Sequence, residues 1–502
     1  MSDSPYDTYT SPLASRNASK QMLELWSPRH KFNTWRRIWL AVAESQHEMG
    51  LPVTKEQVEE LRAVVNRPGG ITDAEMKAAE KYERELRHDV MAHVHALGDS
   101  CPKARGIIHL GMTSQDVVCN ADLIAMHSAL HLLDVKTTRL LLSLGEQAMK
   151  HAKVPTLGFT HYQPAQPVTV GRRIAQWAHD VHLNCIGGVL GRFYGWAPLK
   201  GLRGATGTQA SFAALFENPH LANHLEKVFL DKLDVPEWEA PGHGWGSFDL
   251  VTQTYSRLED ARVLAHLGLV AAALHKIATD IRLLCNRKEI DEPFEDKQIG
   301  SSAMPYKRNP MRCERICGLT RFVMNLVGNA YDTAATQWLE RTLDDSSNRR
   351  LSLPEAFLAL DGALDLMHNV ASGLIVHEAM VRKNLMAELP FMATENLLMA
   401  CVKLGGDRQH YHELIRVHAQ AAGLRVKQEG LDNDLLERLK GDAAFHRPAL
   451  GAELDWEGLM DPMKYVGRSV EQTERFIAEV VEPLRERVRD SLAELEDSGP
   501  RV

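Results

Sequence analysis

The stretch 114–154 constrains the fold of this chain more than any other. Leu123, Leu130, Leu133, Leu140 and Leu144 follow one another at steps of 7, 3, 7 and 4. At 100° per residue they fall within about 100° of arc, one apolar stripe on a helix. Thr113-Ser114-Gln115-Asp116 supplies capping hydroxyls and an early acid at its start, and Pro155 stops it. Such a helix has roughly 40 residues and a length near 60 Å. A globular core rarely holds a rod like that alone, so an elongated bundle is expected.

Three further rods are expected. In 249–286, Leu267, Ala271, Leu274, Ile277, Ile281 and Leu284 recur at helical steps, and Gly268 and Ala271 to Ala273 allow close helix approach. The others run over 310–335 and 354–376. Helices this long are expected to pack antiparallel and to bury their remaining apolar faces in an oligomer. The flanks read as shorter helices. Pro52, Pro68-Gly69-Gly70 and Pro102 break the first, and Pro390, Gly405-Gly406 and Pro448 the second. No stretch alternates as a strand should. The reading is an all-α fold of three domains: 1–112, a central long-helix bundle at 113–376, and 377–502.

Bulk properties exclude several classes. A formal charge of -8 over 502 residues argues against nucleic acid as the main partner. No apolar run of 18 residues suggests a membrane span. The seven cysteines are scattered without a C-x-x-C, so neither a disulfide framework nor a zinc ribbon is indicated. Cys313 and Cys317 would share a helix face as packing residues. His127 and His131 stand four apart but have no evident third ligand. No metal or cofactor is expected. Residues 1–15 lack a signal-peptide pattern, and a reducing cytoplasm fits.

One segment is chemically unusual: Gly300-Ser301-Ser302-Ala303-Met304-Pro305-Tyr306-Lys307-Arg308-Asn309-Pro310. Two prolines preclude a regular helix interior. Gly-Ser-Ser can present N–H groups and hydroxyls to an anion, and Lys307 and Asn309 add a cation and an amide donor. The segment resembles the G-S-S-x-M-P-x-K-x-N-P signature of the aspartase/fumarase superfamily. Residues 298–312 resemble the adenylosuccinate lyase family within it, close to its animal type. So do Arg87-His88-Asp89-Val90-Met91-Ala92-His93-Val94-His95, Gly106-Ile107-Ile108-His109-Leu110-Gly111-Met112-Thr113-Ser114, Gly158-Phe159-Thr160-His161-Tyr162-Gln163-Pro164-Ala165-Gln166, Thr206-Gly207-Thr208-Gln209-Ala210-Ser211-Phe212 and Leu389-Pro390-Phe391-Met392-Ala393-Thr394-Glu395-Asn396. Glu340-Arg341-Thr342-Leu343-Asp344-Asp345-Ser346-Ser347-Asn348-Arg349-Arg350 continues the match.

The resemblance implies fumarate elimination from adenylosuccinate, giving AMP, and from the succinylaminoimidazole carboxamide ribotide of purine synthesis. It also implies a homotetramer in which three subunits build each site. By resemblance, Ser301 is the general base, His161 the general acid, Glu314 its orienting carboxylate and His88 a second active-site histidine. Lys307 and Asn309 match groups at the developing aci-carboxylate. Thr113, Ser114, Thr160 and Gln253 match contacts to the succinyl carboxylates or amide part. Arg16, Arg315, Arg341, Ser346 and Arg350 match nucleotide and phosphate contacts, with Asn17, Arg87 and Asp89 beside them. Proton abstraction next to a carboxylate needs this inventory of base, acid and cations.

The chain departs from the family at Asn17, where tyrosine is usual, at Thr252, where the animal type has glycine, and over 237–248, with His243 and Trp245. A sister lyase of the argininosuccinate type would share the 300–310 motif but not its continuation through Arg312 together with the Arg341–Arg350 segment. A catalytically silent structural oligomer would have lost the acid or the base, and both are present.

Overall fold

A computed structural model of the chain describes residues 7–185, 198–233, 246–487, 489–493 and 495. Four rods form its body: α1 (Ser114–Lys150), α2 (Leu258–Asn286), α3 (Met311–Ala335) and α4 (Asp344–Ser372). The leucine stripe of α1 is buried throughout, as is the stripe of α2 from Leu267 to Leu284. Gly268 lets α3 pack tightly against α2, since a Cβ there would stand 2.8 Å from Val327 Cγ2. Cys313 and Cys317 are both buried on one face of α3.

The helix directions correct the sequence reading. Across α1 and α4, Asp122 meets Arg349, Lys136 meets Asp365, and Gln147 meets the carbonyl of Ser372. Numbers rise together on both helices, so they run parallel. Arg257 and Asp260 meet Asp345 and Arg349, so α2 runs the same way. Only α3 is antiparallel to the others: Asn329 bonds Asn348 of α4, and Glu314 faces Arg282 of α2. The long connection 151–257 carries the chain back along the bundle before α2 begins, and antiparallel α3 carries it back again before α4. The N-termini of α1, α2 and α4 therefore gather at one end, and their C-termini gather at the other beside the start of α3.

Buried charge braces the rods. Lys136 donates to Asp361 at 2.5 Å and to Asp365 at 2.8 Å, and Asp361 also accepts the Ser19 N–H at 2.6 Å. Burial pushes the Asp361 carboxyl up, against the pull of Lys136. In the N-terminal part, Glu75 is a similar hub. It accepts from Thr72 N–H and Ser100 Oγ at 2.8 Å each, from Arg36 at 3.1 Å, and from Arg67. Burial opposes its ionisation, but these donors outweigh that and hold it near a pKa of about 2 against an ordinary 4.5. The stabilisation is present above pH 4.5 and disappears as pH falls through about 2. Glu75→Gln is expected to cost about 3 kcal/mol at neutral pH and nothing at the acid limit. Chemical denaturation at both pH values checks this.

Other element boundaries shift from the reading. Helix α1 ends at Lys150 and Pro155 opens a strand instead. Helix α2 begins at Leu258, later than expected, and α4 begins at Asp344 with Pro354 inside it. Pro390 lies within the helix Glu378–Met392. Strands were not foreseen. Pro155–Thr160 (β1) and Gln163–Thr169 (β2) form an antiparallel hairpin, and Ile290–Asp291 pairs with Ile375–Val376. A second hydrophobic cluster spans Leu397 to Leu454, while Ile477, Val481 and Leu484 pack into the main one. Helix α2 is long and apolar enough to cross a membrane, but 67% of that window is packed inside the chain.

Candidate active site

The gathered helix N-termini open onto a cavity of 870 Å³. Its walls include Arg87, His88, Asp89, Thr113, Ser114, Gln253, Arg341, Ser346 and Arg350, half of the candidate residues. The first turns of α1, of α4 and of the helix Asp89–Ser100 all line it. Unpaired N–H groups and aligned dipoles at such ends favour an anion. Arg87 takes a left-handed conformation (φ 54°) that turns the chain between two helices.

Hydrogen bonds fix the polar groups. His88 Nδ1 accepts the Met91 N–H at 3.4 Å, which leaves Nε2 to carry the proton of a neutral ring and donate to Ser114 Oγ at 3.2 Å. Thr113 N–H donates to Asp116 at 2.8 Å and so caps α1. Gln253 joins two loops, donating its side chain to the Ala205 carbonyl at 3.1 Å and its backbone to Glu340 at 3.2 Å. Arg350 pairs with Asp89 at 2.7 Å. Burial would raise the Asp89 carboxyl, but the Val90 N–H, Arg350 and Lys31 together hold it below the usual range.

A second group lies at the opposite end, before α3. The loop 300–310 is not helical. Asn309 Nδ2 donates to the Gly300 carbonyl at 2.7 Å, and Gly300 abuts the Lys307 carbonyl so tightly that a Cβ would overlap it. Ser301 Oγ accepts N–H groups from Ala303 at 3.4 Å and Met304 at 3.2 Å. Glu292 pins the neck of the loop by accepting from Arg312 N–H at 2.9 Å and Cys313 N–H at 3.1 Å. Arg315 has its pKa lowered by burial and then by the neighbouring Arg16 and Arg312, so these cations crowd together. Asn17 turns onto its own segment, its amide donating to the Pro12 carbonyl at 2.9 Å.

The third group is the β1–β2 hairpin. Thr160 pairs with Gln163, and His161 and Tyr162 form the two-residue turn with φ of 52° and 57°. Such turns usually take Asn-Gly, because both central residues are left-handed. Holding two bulkier residues there costs on the order of 1–3 kcal/mol each, and the turn presents His161 at an exposed tip.

The chain does not bring these groups together. His161 makes no pair with Glu314, whose nearest cation is Arg282 at 4.0 Å. Helix α1, 37 residues long, separates the His88 cavity from the hairpin by about 55 Å. The hairpin strands reach back at most about 20 Å of that. Arg16, Asn17 and Arg315 likewise sit far along α4 from Arg350, as the packing of Asn17 against Gly362 fixes.

Some groups around the cavity were not foreseen as functional. Asp116 is fully buried and accepts from Lys200, from Arg203 N–H at 3.0 Å and from Gly204 N–H at 3.1 Å. Asp345 and Arg257 stand behind Arg341. Only its presence inside a matched segment could have flagged Asp345; Asp116 reads locally as a capping acid, and nothing local marks Arg257. Thr252 bonds the Thr254 carbonyl at 3.1 Å. His243 and Trp245, with 234–245 as a whole, lie outside the described residues.

Comparison with known proteins bears on the family and the fold. A family model described as lyase matches residues 16–325, and one described as adenylosuccinate lyase C-terminus matches 390–476. The chain is 48% identical to an adenylosuccinate lyase of Schizosaccharomyces pombe, with 94% of each chain covered. It is 47% identical to that of Saccharomyces cerevisiae, again over 94% of each. An animal relative, from Schistosoma mansoni, is 42% identical over 97% of this chain and 98% of its own. Among solved structures, the 3-carboxy-cis,cis-muconate lactonizing enzyme of Pseudomonas putida superposes with a TM-score of 0.76 at 25% identity, covering 93% of this chain and 98% of that one. A fumarate lyase from Mesorhizobium sp. BNC1 shares the fold, with a TM-score of 0.75 at 21% identity over 94% and 100%. With two family models in sequence order and such identity over almost its whole length, the chain belongs to the adenylosuccinate lyase family.

Proposed function

We propose that this chain is a C–N lyase that releases fumarate from adenylosuccinate, leaving AMP, and from the related succinylaminoimidazole carboxamide ribotide. The observation that carries this reading is the cavity where helix N-termini, Arg87, Arg341 and Arg350 converge. It suits a multiply charged phosphate and carboxylate substrate.

Ser301 takes the proton from the carbon beside a succinyl carboxylate. The Ala303 and Met304 N–H groups that already face its Oγ support the alkoxide form. Lys307 and Asn309 meet the aci-carboxylate charge that builds. The C–N bond then breaks, its electron pair leaves with nitrogen, and His161 donates the proton that neutralises it. Glu314 orients His161. Thr113, Ser114, Thr160 and Gln253 hold the succinyl and amide parts, and His88 contacts the phosphate. Arg16, Arg315, Arg341, Ser346 and Arg350 hold the nucleotide, beside Asn17, Arg87 and Asp89. No cofactor takes part in these steps.

The site is shared between subunits of a homotetramer. Support comes from α1 itself, because groups held about 55 Å apart cannot meet one substrate within one chain. Exposed Leu258, Leu269, Phe322, Tyr331 and Leu351 on the rods give other copies an apolar surface to cover. The three-part division at 112 and 376 and a cytoplasmic location complete the reading.

Purified protein given adenylosuccinate should release fumarate and AMP in equal amounts. Cleavage of argininosuccinate in its place would assign the chain to a sister activity. Inertness toward both would leave a structural oligomer.

A further inference from the structure

Two arginines enter the cavity beside the start of α4, and each is gripped by a carboxylate. Arg350 is held by Asp89 from another helix. Arg341 is held from its own segment: its Nη1 donates to both oxygens of Asp345 at 2.8 Å. Asp345 is fully buried and accepts on its inner side from Arg257 Nε at 2.7 Å. Arg257 is also buried, with its guanidinium 4.7 Å from the centre of the Tyr255 ring and 3.9 Å from Cys119 Sγ. A relay of alternating charge thus runs from the core to the cavity wall, ending in Arg341.

A guanidinium has two donor edges suited to paired contacts. With Nη1 committed to Asp345, the Nε and Nη2 edge of Arg341 stays uncommitted among the described residues. We propose that Asp345, backed by Arg257, is a positioning residue that fixes the Arg341 fork so that this edge meets the nucleotide part of the substrate. Asp345 touches no substrate itself. The proposal rests on the reading of Arg341 as a nucleotide contact. A fork already immobilised avoids the ordering cost that a free arginine meets on binding.

The test compares competitive inhibition by AMP, which carries the nucleotide part, with inhibition by fumarate, which does not. Asp345→Asn should raise the AMP inhibition constant and KM about tenfold or more while the fumarate constant stays within about twofold. In an Arg341→Ala background the same change should add almost nothing, since the two residues act as one unit. Asp345→Asn leaves Arg257 buried without its carboxylate and can destabilise the fold. The pair Arg257→Met with Asp345→Asn removes both buried charges; it should regain thermal stability but not AMP affinity. Equal loss toward AMP and fumarate, an undiminished effect in the Arg341→Ala background, or return of AMP affinity in the pair would each overturn the positioning role. AMP binding unchanged by Arg341→Ala alone would instead remove the reading of Arg341, and the proposal with it.

Discussion

Ser301→Ala lowers turnover by about 10²- to 10⁴-fold, the range expected when a positioned proton acceptor is removed. The fold should not notice. Among the described residues the Ser301 hydroxyl bonds only to Ala303 and Met304 in its own loop, and the loop neck is held elsewhere, by Glu292 and by Asn309. Circular dichroism and sedimentation should match the unchanged protein, and AMP should still bind through residues of the other end. Stopped assays of fumarate release measure the loss. Near-normal release by Ser301→Ala would mean that another group takes the carbon proton. Retained turnover with disturbed assembly would point instead to a structural role for the loop.

The second large effect is recovery. His161→Ala should be as inactive as Ser301→Ala, because the leaving nitrogen loses its proton donor. Mixed and allowed to exchange subunits, the two dead proteins should regain activity. If each site draws the hairpin from one copy and the 300–310 loop from another, random mixing gives about a quarter of sites both intact parts. A mixture of Ser301→Ala with Lys307→Ala should stay inactive, since both changes fall in the same loop. Absence of recovery after proven exchange would place both groups in one subunit.

Much of the fold was legible in the amino-acid order, for a plain reason. The leucine stripe of α1 and the stripe of α2 are local periodic patterns, and each is buried as its period requires. Direction was not legible, because whether rods run parallel depends on connections of many residues that carry no period. Prolines misled in both senses. Pro354 sits inside α4, where it forgoes one bond to the Arg350 carbonyl near the cavity. Pro164 and Pro167 sit in β2, where a two-stranded ribbon has outward-facing edges that need no N–H. The chemistry-bearing segments stood out by residue type and order, and the cavity gathers half of them. What holds them did not stand out. Arg257 and Asp116 meet partners distant in sequence, as Asp345 does on its inner side, and a buried carboxylate reads locally like any exposed one.

The two-ended rod has a consequence for how such a chain can change over time. Seven residues deleted from α1 would leave its apolar stripe within about 20° of its former phase. The core would accept that much rotation if the paired clamps, Lys136 with Asp361 and Asp365, were deleted or shifted in step. Yet the ends would draw together by about 10 Å. The count of helical turns in α1 is therefore a ruler that sets the distance between the two ends.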